Sequence, residues 1–238
     1  MLPELSIVIP ALQERQNLEI LLPALRDVLA QLGVVADVVV VDGGSTDGTS
    51  AVATQWGAHV VQQRERGYGG ALLAGFAATS TPWIVTMDAD LSHRPSFLAA
   101  LWSRRHDADI LIASRYVPGG RANMSWFRRT LSVTLNRAYG QILALPIRDL
   151  SSGFRMYRRD VIVGMTLDAR GFDVLEEILI RAHAAGRRIT EVPFHYMARG
   201  SGRSKVRLVA FAVAFVRTLL RMRRLQHATK AGDRRRFG

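Results

Sequence analysis

The stretch Trp83-Ile84-Val85-Thr86-Met87-Asp88-Ala89-Asp90-Leu91-Ser92-His93 joins an apolar run to two carboxylates that are one residue apart. The run is typical of a buried strand, and the two acids follow where that strand should end. Ligands of open α/β sheets bind beyond the carboxyl ends of the strands, and Asp oxygens suit Mg²⁺ or Mn²⁺ ions that bridge phosphates. The stretch therefore predicts a metal and diphosphate site. The alternative is a solvated loop that happens to contain two Asp residues.

The segments before this strand alternate between apolar runs and helical patterns. A first strand over residues 5–9 stops at Pro10, which has no N–H to donate to a ladder. A helix with Asn17 as its N-cap follows, and further strands are predicted at 37–41 and 59–62. This order predicts an α/β domain with an open, doubly wound and mostly parallel sheet.

Two glycine-containing loops follow predicted strands. In residues 42–49 the small side chains let the backbone approach a ligand, and Asp42 at the strand tip can accept hydrogen bonds from a nucleobase or ribose. The alternative is an ordinary glycine turn in which Asp47 or Thr46 caps the next helix. Residues 64–72 look like a phosphate loop but lack the Gly-Lys-Ser/Thr ending, so they are a weak signal.

Composition and charge limit the classes of function. The chain has 238 residues and no cysteine, so it can bury the core of one large α/β domain and has neither disulfides nor thiolate metal sites. Its N-terminus lacks the basic start and longer apolar run of a signal peptide, so we do not expect export. The segment from Arg199 to Gly238 contains twelve Lys and Arg residues but only one acidic residue, whereas the net charge of the rest of the chain is nearly zero. This segment predicts an anionic partner, which is a membrane surface, a lipid phosphate or nucleic acid.

Four short motifs occur in order along the chain: Pro10-x-x-x-Glu14, Val41-Asp42-Gly43-Gly44-Ser45-x-Asp47-Gly48-Thr49, Arg66-Gly67-x-Gly69-x-Ala71 and Met87-Asp88-Ala89-Asp90-Leu91-Ser92-His93. Together they resemble the inverting family 2 glycosyltransferases. The resemblance implies the glycosyltransferase A fold, an open doubly wound and mostly parallel α/β sheet, here with C-terminal amphipathic helices.

The later chain narrows the resemblance to polyprenyl-phosphate mannose synthases, over roughly residues 5–225. The matching segments are residues 109–120, Asp149-Leu150-Ser151-Ser152-Gly153-Phe154-Arg155, residues 191–194 and residues 199–205. We expect a catalytic domain over residues 1–204, an amphipathic interfacial helix over 205–225 and a basic disordered tail over 226–238.

Carried over onto matching positions, the resemblance implies four sets of residues. The nucleotide-sugar donor is expected to contact Pro10, Leu12, Glu14, Val40, Asp42, Asp88, Ala89, Asp90, Arg115, Arg199 and Lys205. Catalysis is expected to depend on Asp90, Arg115 and Lys205. The acceptor phosphate is expected to contact Arg115, Arg129 and Ser152. The metal, Mg²⁺ or Mn²⁺, is expected to bind Asp88, Asp90 and Ser92.

Two positions depart from the family pattern. Relatives often have Gln as a further metal ligand two residues after the second Asp, and this chain has Ser92 there. Ser92 acting through a water molecule, or His93, would have to replace it. For His93 we favour a loop residue that caps its neighbours, because hard cations prefer oxygen ligands. Gln13 stands where relatives commonly have Asn.

The resemblance implies that an oxygen of a polyprenyl or dolichyl monophosphate attacks the anomeric carbon of the sugar, with inversion. This nucleophile is already an anion at neutral pH, so catalysis should depend on positioning and charge stabilisation rather than on a strong base. Glu176 and Glu177, on a helix predicted over residues 172–185, are either structural or, for Glu177, directly involved. We expect GDP-mannose as donor, because glucose-transferring relatives usually have two transmembrane helices after the catalytic domain and this chain has none. UDP-glucose is the alternative.

A lipid acceptor requires a route to a membrane. The apolar run at 208–216 is too short to span a bilayer. Arg207, Arg217, Arg221 and Arg224 fall within about 100° of a helix, the pattern of a helix in the interface with basic residues toward headgroups; the alternative is a helix packed on the sheet. We expect a peripheral protein on the cytoplasmic face, with the anionic membrane surface as a partner. A separate membrane-anchoring protein is a further partner to consider.

Other classes of function fit less well. A sugar-phosphate nucleotidyltransferase would need a Gly- and Lys-rich loop after the first strand, and residues 10–17 contain neither residue type. A nucleic-acid-binding protein would explain the basic segment but not the series of motifs. We therefore expect no nucleic acid partner.

Overall fold

The structure is a computed structural model that describes residues 2–123, 126–196 and 217–224, without the side chains of residues 127–129. Its strands are β1 (Leu5–Ala11), β2 (Ala36–Asp42), β3 (His59–Gln62), β4 (Trp83–Thr86), β5 (Ile110–Ser114), β6 (Arg121–Ala122), β7 (Arg155–Arg158), β8 (Ile189–Pro193) and β9 (His195–Tyr196). Its helices are α1 (Arg15–Leu32), α2 (Thr49–Gln55), α3 (Tyr68–Ala77), α4 (Leu98–Ser103), α5 (Trp126–Ile142), α6 (Arg159–Ile162) and α7 (Val174–Ala184). Residues 217–224 form a further helical segment, α8.

Seven of these strands form one sheet in the order β3-β2-β1-β4-β7-β5-β8. Neighbours are parallel except at β7, which is antiparallel to both β4 and β5. The expected doubly wound, mostly parallel α/β sheet is confirmed, although the sequence patterns did not predict β7. Because β2 lies on one side of β1 and β4 on the other, the carboxyl ends of β1 and β4 flank the switch point where ligands bind in such sheets.

The side chains of the central strands alternate between two apolar cores, one on each face of the sheet. Ile7 and Ile9 of β1 belong to the core with α1 and α4, whereas Val8 belongs to the core with α3 and α7. Both faces are covered by helices, which is why the central strands are apolar throughout. Polar side chains that serve chemistry are therefore concentrated in the loops at the edge of the sheet.

Helix α1 begins at Arg15, before the predicted N-cap Asn17. Its first turn is satisfied by the loop after β2: Asp47 accepts a hydrogen bond from the Arg15 N–H (3.1 Å), and the Thr49 hydroxyl accepts one from the Glu14 N–H (3.0 Å). Asn17 instead lies inside the helix and donates its side-chain N–H to Glu14 (2.5 Å). The cap prediction is wrong because the capping groups come from a loop that is distant in sequence.

Helix α8 packs against the domain. Met222 is fully buried in the core that also contains residues of α5 and α7, and Arg221 forms an ion pair with Asp173 (2.8 Å). Arg221 therefore faces a carboxylate of the domain and not a headgroup, so the alternative of a packed helix holds for this segment. The rest of 205–225 and the tail 226–238 lie outside the described residues. In the part of the chain that the structure describes, no helix is long and apolar enough to cross a membrane.

Candidate functional site

Three loops meet at the carboxyl edge of the sheet, after β1, β2 and β4, at residues 12–14, 43–48 and 87–93. Gln13 joins the first two, because its backbone N–H donates to the Ser45 hydroxyl (2.9 Å) and its side-chain N–H donates to the Thr46 hydroxyl (3.1 Å). These bonds, with the Asp47 bond to α1, hold together the two loops that the sequence predicts to bind the nucleotide.

Backbone strain also marks this region. Three of the described non-glycine residues have positive φ angles, and each borders the crevice or the cavity described below: Gln13 (59°), Leu91 (65°) and Ala144 (49°). A left-handed backbone costs such a residue of order 1 kcal/mol, and strain of this kind collects at binding sites. Asn tolerates this conformation better than Gln, which gives the Asn of the relatives a physical reason.

Asp42 is turned toward its own loop. Its carboxylate accepts hydrogen bonds from the N–H groups of Gly44 (3.2 Å) and Ser45 (2.9 Å) and from the Ser50 hydroxyl. Burial raises the pKa of Asp42, but the bonds from Ser45 and Ser50 outweigh it and lower the pKa below its usual value. With 2% of its surface exposed, Asp42 organises the loop in this structure, and its contact with a base or ribose stays a prediction.

The other predicted donor contacts near β1 and β2 divide into two groups. Leu12 is exposed (58%), and Pro10 and Glu14 are half-buried at the same edge, so all three are accessible to a ligand. Val40 is fully buried in the core with α1. Alternation along β2 directs the Val40 side chain into the core. A contact between Val40 and the donor stays a prediction, and it would use the backbone.

His93 supports the backbone and carboxylate of Asp88. Its Nδ1 accepts a hydrogen bond from the Asp88 N–H (2.9 Å), and its Nε2 lies 3.7 Å from Asp88 Oδ2. The ring is buried and stacks on Phe154 (5.0 Å between centroids). Burial lowers the pKa of His93 despite the nearby Asp88 and Asp90, so the ring is neutral at pH 7. Its Nδ1 lone pair is already used, which matches the interpretation of His93 as a capping residue.

Asp88 and Asp90 offer oxygen ligands at the end of β4. Asp90 accepts a hydrogen bond from the Ser92 N–H (3.1 Å), and Ser92 Oγ is buried without a hydrogen-bond partner among the described residues. Within the same residues no group of three or more His, Cys, Asp or Glu side chains is arranged to hold a metal. Mg²⁺ is commonly bound by one or two carboxylates together with substrate phosphates, so two Asp residues and an unpaired hydroxyl fit a metal that a diphosphate would share.

The glycine-rich segment 64–72 packs against another loop and not around a phosphate. The Gly69 N–H donates to the Arg170 carbonyl (2.9 Å), and a Cβ on Gly67 or Gly69 would lie 2.2 or 2.5 Å from backbone oxygens of Arg170 and Ala169. An ion pair between Glu65 and Arg170 adds to this contact. The glycines therefore allow two backbones to approach closely, which explains a motif that resembled a phosphate loop.

Arg115 is held by Asp149. Its Nε and Nη2 donate to the two Asp149 oxygens (2.8 and 2.6 Å), and Nη2 also donates to the Ser151 hydroxyl (2.8 Å). Asp149 is fully buried; burial alone would lower the pKa of Arg115, but the ion pair raises it above its usual value. Ser151, and not the predicted Ser152, therefore adjoins Arg115. Ser152 is buried and its carbonyl accepts a bond from Arg155 (2.7 Å).

Two buried charged residues hold neighbouring segments, Arg155 the loop after Asp149 and Glu177 the segment before α7. Arg155 is fully buried and donates to the carbonyls of Leu150 (2.6 Å), Ser152 and Leu175 (2.8 Å). Glu177 is also buried; it accepts the N–H groups of residues 168 and 169 and pairs with Arg181 (2.8 Å). Its role in this structure is structural, which answers the alternative that the sequence left open.

Glu176 behaves differently from its neighbour. Burial raises the pKa of Glu176 from its usual 4.5 to about 7, although the positive charge of Arg155 acts in the opposite direction. One of its oxygens, Oε2, is buried without a hydrogen-bond partner among the described residues. This carboxyl group is therefore largely protonated below pH 7.

A cavity of about 950 Å³ lies beside Arg115, between the end of β5, α5 and the loop after α5. Three arginines and one histidine line it, Arg115, Arg137, Arg148 and His183, and its described lining contains no Asp or Glu. The described residues provide no ion-pair partner for Arg137 or Arg148, which are both exposed. Its apolar wall is formed by Val117, Val133, Leu145, Pro146 and Ile147. The cavity thus suits an anionic group attached to an apolar chain.

Sequence reasoning missed Arg137 and Arg148. Residues 126–145 mix aromatic, basic and apolar residues at helical spacing, but this pattern does not single out Arg137 and does not include Arg148. Three predicted phosphate contacts lie outside the described side chains: Arg129, Arg199 and Lys205.

Sequence comparisons agree with these features. The family model described as glycosyl transferase family 2 matches residues 6–164. The polyprenol monophosphomannose synthase of Mycolicibacterium smegmatis is 35% identical over 215 residues, covering 84% of this chain and 80% of that protein. The dolichol-phosphate mannosyltransferase of Pyrococcus furiosus is 34% identical over 214 residues, covering 86% of this chain and 59% of that protein. The chain thus spans less than two thirds of the length of the Pyrococcus relative.

Solved structures give the same fold. The glucosyl-3-phosphoglycerate synthase of Mycobacterium tuberculosis in complex with Mn²⁺, UDP and glucosyl-3-phosphoglycerate is 25% identical with a TM-score of 0.71, covering 92% of this chain and 80% of that chain. A complex of the same enzyme with Mn²⁺, UDP-glucose and phosphoglyceric acid also has a TM-score of 0.71. The expected glycosyltransferase A fold is confirmed, and the chain belongs to glycosyl transferase family 2.

Proposed function

We propose that the protein transfers a hexose, mannose from GDP-mannose, to a polyprenyl monophosphate, with inversion and with the help of Mg²⁺ or Mn²⁺. The observation that carries this proposal is the cation-lined cavity beside Arg115. Arg115 lies over the Tyr196 ring (5.6 Å), and this ring lies 6.5 Å from the ring of His93, the residue that supports Asp88. The names of the relatives from Mycolicibacterium and Pyrococcus support a polyprenyl phosphate acceptor and a mannosyl donor.

The chemistry requires little from a general base. A phosphate oxygen of the acceptor forms a bond to the anomeric carbon while the bond from that carbon to the diphosphate breaks, and no proton has to leave the nucleophile. A metal bound by Asp88 and Asp90 supplies charge neutralisation for the leaving diphosphate. Arg115, held in place by Asp149, and the cations of the cavity orient the incoming phosphate.

UDP-glucose is the second candidate donor. The Mycobacterium enzyme with the same fold was solved with UDP-glucose and Mn²⁺, and the described residues near Leu12 and Glu14 contain no feature that favours guanine over uracil. The acceptor in those complexes is phosphoglyceric acid, a soluble phosphate, so the acceptor has to be tested together with the donor.

The acceptor lipid implies contact with a membrane. We propose that the basic segment after Arg199 attracts the protein to an anionic bilayer on the cytoplasmic face, because polybasic segments gain about 1 kcal/mol per Lys or Arg near such a surface. Flotation with anionic liposomes compares the full chain with a variant that carries Lys230→Gln, Arg234→Gln, Arg235→Gln and Arg236→Gln, which removes four cations of this segment and keeps the packed helix α8. Equal flotation of the two would contradict a role for this segment.

The assay for the function incubates the full chain and Mn²⁺ with polyprenyl phosphate and each radiolabelled donor in turn. We expect organic-extractable product from GDP-mannose. Extractable product from UDP-glucose alone would replace the donor assignment, and transfer only to phosphoglyceric acid would overturn the acceptor assignment.

A further inference from the structure

We propose that Tyr68 is a positioning residue that orients the Asp88 carboxylate toward the metal-bound diphosphate. The inference rests on the proposed function, because it assigns Asp88 to the metal and diphosphate. Tyr68 is the first residue of α3, and its hydroxyl donates a hydrogen bond to Asp88 Oδ1 (3.3 Å). It occupies the unspecified position between Gly67 and Gly69 of the glycine-rich motif, and the motif assigns it no role.

Gly153 leaves the space that this contact needs. A Cβ at position 153 would lie 2.5 Å from the Tyr68 hydroxyl oxygen and 3.4 Å from Asp88 Oδ1. A side chain there would displace the hydroxyl from the carboxylate. The glycine of the segment 149–155 is therefore explained by the approach of Tyr68 to Asp88.

The ring of Tyr68 is fixed by the loop before α7. It stacks on Phe172, with 4.5 Å between the centroids and 17° between the planes. The backbone bond from Gly69 to Arg170 and the ion pair between Glu65 and Arg170 dock the two loops beside this stack. These contacts of the glycine-rich segment thus hold the Tyr68 hydroxyl beside Asp88 of the proposed metal site.

The contacts of Asp88 leave room for a ligand. Tyr68 approaches Oδ1, and His93 Nε2 lies 3.7 Å from Oδ2. An ionised carboxylate has about four lone-pair positions, so both oxygens keep the capacity to bind a cation. Torsion of an Asp carboxylate about χ2 has only broad preferences, and without Tyr68 the group is held from one side alone.

Partners that orient metal-binding side chains commonly contribute 10- to 100-fold to metal affinity. The Tyr68 bond is long at 3.3 Å, so we expect the lower end of that range. Tyr68→Phe should weaken the Mn²⁺-dependent binding of GDP or UDP about 10-fold. The stack on Phe172 is retained, so the melting temperature without metal should shift by less than about 4 °C.

The test titrates Mn²⁺ into the full chain with a fixed concentration of GDP or UDP and follows free Mn²⁺ by electron paramagnetic resonance. Tyr139→Phe is the matched control, because it removes a hydroxyl bonded to Thr218 of α8, away from Asp88. Gly153→Ala should reproduce the loss of Mn²⁺ affinity, because its Cβ displaces the Tyr68 hydroxyl.

Equal Mn²⁺ affinity for Tyr68→Phe and the native protein would overturn the inference. An equal loss in Tyr139→Phe would also overturn it, because the effect would then be general. If the native protein binds Mn²⁺ with the nucleotide but forms no lipid-linked sugar, the proposed acceptor fails, and the comparison of Mn²⁺ affinities still decides the role of Tyr68.

Discussion

In the proposed function, two regions, the β4 side at the end of β4 and the α5 side at the cavity beside α5, would bind phosphate by opposite means. On the β4 side, Asp88 and Asp90 are negative, so a diphosphate can bind there only with a cation between them. On the α5 side, Arg137 and Arg148 are positive and unpaired among the described residues, so a phosphate can bind them directly. If the proposed function holds, we expect nucleotide binding on the β4 side to depend on metal and acceptor binding on the α5 side to depend on ionic strength.

We expect the largest effect from a substitution that changes the β4 side alone. Asp90→Ala removes a carboxylate from the proposed metal site, and we expect the transfer rate to fall by about 10²- to 10³-fold, the size found when one charge-stabilising group is lost. The measurement is the initial rate of extractable product, with Mn²⁺ varied. Asp107→Ala, which removes an exposed acid paired with Arg104 (2.9 Å), is the matched control. Full activity of Asp90→Ala would refute the site.

The β4 side was the easier one to predict from sequence. Its residues follow one strand within a single short segment, and the apolar run and the two Asp residues together indicate both the strand and its ligand. The orientation of Asp42 was not predictable, because it depends on which loop group bonds the carboxylate. The buried strand over residues 37–41, which includes Val40, was predicted.

Most residues of the α5 side could not be predicted from the sequence. Arg115 follows β5, and Arg148 precedes the antiparallel strand β7, which periodicity did not predict. Glu191 of β8 positions Asp149, because it accepts hydrogen bonds from the N–H groups of Arg148 and Asp149 (both 2.9 Å). The orientation of Arg221 toward Asp173 likewise depends on tertiary packing. Local patterns predict a surface cation but not the partner that it faces.

The second prediction concerns the pH dependence of stability. It depends on Glu176, an acid of α7, which covers the same face of the sheet as α5. Its pKa is about 7 in the folded chain and near 4.5 when unfolded, so between these values the folded state holds a proton that the unfolded state releases. Stability therefore falls as the pH rises from about 4.5 to 7, by about 2–3 kcal/mol for a shift of this size. The cations of the cavity do not compensate this acid.

Glu176→Gln removes the titrating group, so its stability relative to the native protein should rise by about 2–3 kcal/mol between pH 5 and pH 8. Urea unfolding at each pH measures the difference. Glu19→Gln, at an exposed acid paired with Arg15 (3.1 Å), is the control and should show little pH-dependent difference. Parallel curves for Glu176→Gln and the native protein would contradict the raised pKa.

We expect the smallest effect from a substitution that changes the α5 side alone. Arg137→Gln removes one cation from the cavity, and an exposed contact between Arg and phosphate is worth about 1 kcal/mol, so the KM for polyprenyl phosphate should rise about 5-fold. We expect kcat and the Mn²⁺ dependence to stay the same, because the nucleotide side is intact. Adding Arg148→Gln should raise KM by a further similar factor and reduce its sensitivity to salt.

Arg26→Gln is the matched control for these variants. Arg26 is exposed on α1 and lies over Trp56 (5.7 Å to the ring centroid), among residues that do not line the cavity. An equal rise of KM in Arg26→Gln would mean that overall charge, and not the cavity, attracts the acceptor. A change in Mn²⁺ dependence in Arg137→Gln would mean that the two sides are coupled. An unchanged KM in both cavity variants would exclude the cavity as the acceptor site and restrict phosphate recognition to Arg115 and its neighbours.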